Sequence, residues 1–111
     1  MQLAIQWGDP VLPKNGVLAI RPSDLDDFYV SASDFDQTNL FFVLLTSFHH
    51  YLDAGDRERA AHLSFLTAYY LFIPLTPPGS WELALHYIRQ AVTLNPLEEY
   101  RKWVALMEEG N

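Results

Sequence analysis

The residues able to do chemistry are few. Four histidines, His49, His50, His62 and His86, are the only imidazoles, and the chain has no cysteine. A helical zinc site needs two histidines four apart, so that both face one ion, and no pair stands at that spacing. His50 and Asp53, one turn apart, could supply two ligands, but a third is not evident. Asp24-Leu25-Asp26-Asp27 lacks the glycine and the spacing of a calcium loop. Without cysteine, disulfides and thiol catalysis are excluded. Gly8, Gly16, Gly55, Gly79 and Gly110 stand singly at turns, so no phosphate-cradling loop exists, and no Gly-x-Ser-x-Gly elbow occurs. The paired carboxylates Glu98-Glu99 and Glu108-Glu109 fall at helix ends and read as solvated charge. Acid–base catalysis also needs a cleft that shifts pKa values. The expectation is a chain with no catalytic residue, no metal and no cofactor.

The elements that carry these residues belong to one domain. A chain of 111 residues can bury roughly two-thirds of its unfolded surface without a disulfide or metal. Half of it is apolar and 14% is aromatic, which argues against disorder. The net charge is −7, and Asp24, Asp26, Asp27, Asp34 and Asp36 follow one another with no intervening base. Such a surface repels phosphate backbones, so no nucleic-acid partner is expected. The apolar runs at 40–48 and 63–75 are shorter than the about 20 residues that span a bilayer. No basic stretch precedes an apolar core at the N-terminus. These features predict a cytoplasmic chain with no membrane contact.

Residues 1–22 hold Gly8-Asp9-Pro10, Pro13, Asn15-Gly16 and Pro22. Asn-Gly between Val11-Leu12 and Val17-Leu18 is a hairpin signal, weakened by Pro13, which cannot donate to a ladder. The segment reads as an extended arm able to form a short β-hairpin. Its apolar residues Leu3, Ile5, Trp7, Leu18 and Ile20 then need a helical surface to lie on.

Residues 23–111 read as a single helical domain. Ser23-Asp24-Leu25-Asp26 has the form of a capping box opening a helix over 24–31. A polar break over 34–39 follows, with Thr38 as the next cap. Further helices are predicted over 39–54, ending at Ala54-Gly55-Asp56, over 57–74, over 80–94 after Thr76-Pro77-Pro78-Gly79, and over 97–109 after Asn95-Pro96. The stretch from Phe65 to Ile73 is apolar all round, which predicts a helix covered on several sides, central to the fold. Short loops make successive helices antiparallel.

Ala84, Ile88, Ala91 and Pro96 stand at the spacing of the second helix of a tetratricopeptide (TPR) repeat, and this part of the chain resembles that family. Tyr51, Gly55-Asp56 and Ala60 match the same pattern upstream, with Ser64 and Thr67 in place of the usual large and small residues. The resemblance covers roughly residues 41–110. It departs from the family in its period, since Ala60 and Ala84 are 24 apart where TPR units repeat near 34. It implies an all-α fold, an antiparallel helical-hairpin array of about five helices with the N-terminal arm attached. It also implies a concave wall made by first helices. Carried over to this chain, that wall comprises Leu66, Tyr69 and Ile73, with Tyr100, Trp103 and Met107 from the last helix; the upstream frame would add Phe42 and His49. Family members that grip a C-terminal carboxylate do so with Lys, Arg and Asn at positions that are apolar here. The same aromatics are equally suited to a core, and the arm could fill the groove in cis.

The resulting expectation is a non-catalytic protein–protein interaction module, an adaptor or scaffold that takes a protein or peptide partner in an apolar-aromatic groove. Two alternatives remain open. One is a homo-oligomeric structural protein assembling through the arm or the last helix. The other is an acidic antagonist of a basic protein.

Overall fold

Residues 60–72 are buried without interruption. A helix with no solvent face must be covered all round, and the rest of the chain is arranged to do so. The computed structural model describes residue 3 and residues 5–110. Among these residues the fold is an all-α array of six helices with no strand: α1 (Lys14–Val17), α2 (Pro22–Ser31), α3 (Asp34–Asp53), α4 (Arg57–Tyr70), α5 (Ser80–Leu94) and α6 (Glu98–Glu109). A π-helical turn, Leu71–Leu75, extends α4 and contains Pro74. α3 and α5 pack along α4, and α1 and α2 also touch it. α6 packs on α5 and lays the Tyr100 ring 5.1 Å from that of Phe65.

Small residues set how closely the helices approach. Ala60, Ala61 and Ala68 of α4 and Ala84 and Ala91 of α5 have no exposed surface, and neither does Ile88. Ser64, also fully buried, donates its hydroxyl to the Tyr87 carbonyl of α5 at 2.6 Å. Thr67 turns its hydroxyl back to the Leu63 carbonyl at 2.7 Å. No buried side-chain nitrogen or oxygen among the described residues lacks a hydrogen-bond partner, as a stable interior requires.

The helix ends follow local chemistry. Gly55 takes φ +77° after α3, a left-handed conformation that glycine adopts without a Cβ penalty. Asp56 then caps α4 by accepting from the Arg59 N–H at 3.2 Å. α3 starts five residues before the expected position 39. Ser33, rather than Thr38, is its cap and accepts from the Asp36 N–H at 3.2 Å. Asp34 and Asp36 occupy the first turn, where the helix dipole favours acids, so the expected polar break is the beginning of the helix. α2 likewise starts two residues before the expected position 24: Pro22 takes its first position, and the Arg21 N–H donates to Asp24 Oδ2 at 2.7 Å.

Asn15-Gly16 does not form the suggested hairpin. The N–H groups of Gly16 and Val17 both donate to the Pro13 carbonyl, at 3.0 and 3.2 Å, closing the single turn of α1. Nor does this segment stand apart from the helices. The Leu12 N–H donates to Ser47 Oγ at 2.9 Å, and Ser47 Oγ donates to the Pro10 carbonyl at 3.2 Å. The Tyr51 hydroxyl donates to the Leu12 carbonyl at 2.6 Å, and Arg59 Nε to the Lys14 carbonyl at 3.0 Å. Leu12, Val17 and Ile20 are buried in the common core.

Candidate functional site

Of the six residues that the TPR-like frame assigns to a binding wall, four lie in the common core and a fifth, Trp103, packs against it. Leu66, Tyr69, Tyr100 and Met107 are buried, Trp103 is partly buried, and only Ile73 is exposed. The Tyr69 and Trp103 rings meet edge to face at 5.3 Å. The Tyr69 hydroxyl donates to both carboxylate oxygens of Asp26 on α2, at 2.9 and 2.8 Å. The Phe65 ring lies 5.1 Å from Tyr100 and 6.4 Å from Trp103. α2 and α6 therefore cover this side of α4, so that Leu66, Tyr69, Tyr100 and Met107 are core, with Trp103 at their margin and Ile73 outside it. Of the residues added by the upstream frame, Phe42 and His49 are both exposed.

The electrostatics of this cluster suit structure. Burial, reinforced by the hydrogen bond and charge of Asp26, pushes the Tyr69 hydroxyl up to about 12. Burial pushes Tyr100 up to about 12 as well, with Glu99 and Glu58 adding to it. Proton transfer at neutral pH calls for a pKa near the working pH, so both phenols stay protonated there, and Tyr69 serves as a hydrogen-bond donor. Tyr70 is raised further by burial, and its hydroxyl donates to the Gln37 carbonyl of α3.

The histidines divide by environment. His49, His50 and His86 are exposed, each beside a neighbouring aromatic ring at 4.9–5.0 Å. Among the described residues no group of three or more His, Asp or Glu side chains is placed to hold a metal ion. His62 is buried, and its Nε2 lies 2.8 Å from the Ile20 carbonyl. A carbonyl can only accept, so Nε2 carries the proton and the neutral ring fastens the N-terminal segment to α4.

Desolvation lowers the His62 pKa below its ordinary 6.5; the Ile20 contact opposes the shift, Arg21 adds to it, and Glu99 and Glu58 oppose it. A lowered imidazole pKa means that the unfolded chain binds the proton first as pH falls. The stabilising contribution is complete above about 6.5 and is lost as pH drops through the folded value. Urea unfolding at pH 7.5 and 5.5 should show a loss of stability at the lower pH that shrinks in His62→Gln. An equal loss in the variant would assign the acid sensitivity to other groups.

Two of the features open to solvent bear on binding. The first is the outward face of α3. Phe35 and Phe42, seven residues apart and hence on one helical stripe, are 76% and 56% exposed, with Phe41 and Leu45 partly exposed beside them. Val30, at the end of α2, is 85% exposed. Sequence reasoning missed Phe35 by placing it in a break; its seven-residue spacing from Phe42 was the available signal. The second is a shallow groove of about 320 Å³ between α5 and α6, lined by Arg89, Val92, Thr93, Arg101 and Val104.

No protein-family model matches the chain, and no match was found among curated proteins or solved structures. Among the described residues, no helix is long and apolar enough to cross a membrane.

Proposed function

We propose that this protein is a non-catalytic interaction module of TPR-like helical-hairpin kinship, in which the outer face of α3 receives a protein partner. The observation that carries this reading is the exposure of Phe35 and Phe42 on one stripe of an otherwise well-filled fold. Isolated exposed apolar residues are ordinary, whereas neighbouring aromatics on one face are what interfaces use. The kinship is supported by α5, whose Ala84, Ile88 and Ala91 are fully buried, as a second helix packed on a first requires. The non-catalytic reading is supported by the titratable groups with displaced pKa values: Tyr69 and His62 are engaged in internal hydrogen bonds.

A photoreactive benzoylphenylalanine in place of Phe42 tests this reading in the cell that makes the protein. A discrete crosslinked species of defined mass is expected from position 42 and not from the exposed position 86 on α5. Identical adducts from both positions, or none from 42, would refute the assignment of the α3 face.

A further inference from the structure

The α5–α6 groove combines an apolar floor with a positive rim. Val92 and Val104 are partly buried and line it, and Arg89 and Arg101 border it. Arg57, from the start of α4, reaches the same place and donates from Nη2 to the Thr93 carbonyl at 3.2 Å. Three of the seven basic side chains of a chain with net charge −7 thus gather around one groove. Arg89 is held by Glu108 at 3.2 Å, with both side chains about half exposed; such a pair contributes little and yields readily to a competitor. Arg101 is exposed and makes no ion pair among the described residues. The chemistry selected by this groove is an apolar side chain flanked by carboxylates.

The chain itself presents that chemistry elsewhere. At the corner between α2 and α3, the exposed Phe35 stands between Asp34 and Asp36, with exposed Val30 and Asp27 nearby in sequence. We propose that the Val30–Phe35 corner of one copy docks in the α5–α6 groove of a second copy. Phe35 would lie over Val92 and Val104, and the flanking aspartates would face Arg89 and Arg101. The two surfaces belong to different elements, so the contact is heterologous and propagates head to tail into a ring or an open chain. The inference shares the Phe35 surface with the binding-module reading and adds a second copy as its occupant. Net repulsion between like-charged copies keeps the association weak and concentration-dependent.

The test is the weight-average mass of the full chain by sedimentation equilibrium over a range of concentrations. The wild type should rise above 12.8 kDa as concentration increases. Phe35→Ser and Arg101→Glu, both at exposed positions, should each weaken association about tenfold or more while retaining the wild-type circular dichroism spectrum. Mixing the two variants is decisive. Phe35→Ser keeps a working groove and Arg101→Glu keeps a working corner, so the mixture should form a 1:1 dimer and nothing larger. Leu106→Ser, at an exposed position outside both surfaces, should associate like the wild type.

A wild type that stays monomeric, variants that associate normally, or a mixture that does not pair would each overturn the proposal. A monomeric wild type that still gives a discrete adduct from position 42 with another protein would remove self-association alone and leave the binding-module reading standing. Normal pairing without any adduct from position 42 would support self-docking and remove the assignment of the wider α3 face.

Discussion

Deletion of residues 1–20 is expected to remove most of the stability of the fold. Leu12, Val17 and Ile20 are 5%, 0% and 3% exposed, and burying such side chains contributes about 1.5–3 kcal/mol each. The deletion also bares the surfaces of α3 and α4 that they cover. Ser47, Tyr51, Arg59 and His62 lose their main-chain partners at Leu12, Pro10, Lys14 and Ile20, and each such hydrogen bond contributes roughly 1 kcal/mol. Set against a total of about 5–15 kcal/mol for a small domain, these losses leave little. Urea titration of the truncated chain should show a broad transition at low denaturant or none. A midpoint equal to that of the full chain would make the segment a detachable arm.

The second large effect belongs to Phe65. Its side chain is 1% exposed, with the rings of Tyr100, Trp103 and His62 at 5.1, 6.4 and 6.1 Å. Phe65→Ala should lower stability by about 3–5 kcal/mol, the usual range for an aromatic removed from a packed core. Parallel measurements by circular dichroism and tryptophan fluorescence should also show altered Trp103 surroundings in the native state, because one of its ring neighbours is gone. A loss below about 1 kcal/mol would mean that α6 is not firmly seated on α4.

Most of the helical plan was legible because it rests on local chemistry. The pattern from 57 onward predicts α4, α5 and α6 to within about one residue at most ends, since Gly55-Asp56, Pro77-Pro78-Gly79 and Asn95-Pro96 interrupt the chain whatever it packs against. The central role of α4 was also legible, because a helix apolar on every side has no alternative to burial. The first 33 residues were harder to read. Asn15-Gly16 signals a hairpin only when its flanks can pair; here Pro13 begins a helical turn and the flanking residues find α3 and α4. The burial of most of the candidate wall was hidden for a related reason. A tyrosine such as Tyr69 meets the requirements of a groove and of a core equally well, and the difference lies in Asp26, 43 residues away. Such a pairing is absent from periodicity.

The sharing of α4 also bears on how such a chain could change in length. In an open repeat array each unit touches only its neighbours, so gene duplication can add a unit and the new one finds a ready seat. Here the same helix serves α1 and α2 from the N-terminal part, α3 and α5 alongside, and α6 through Phe65. A duplicated hairpin inserted before α3 would have to displace Val17 and Ile20 from that helix. Growth at the α5–α6 end would leave those seats on α4 undisturbed, and the added helices would bury the arginine-rimmed groove.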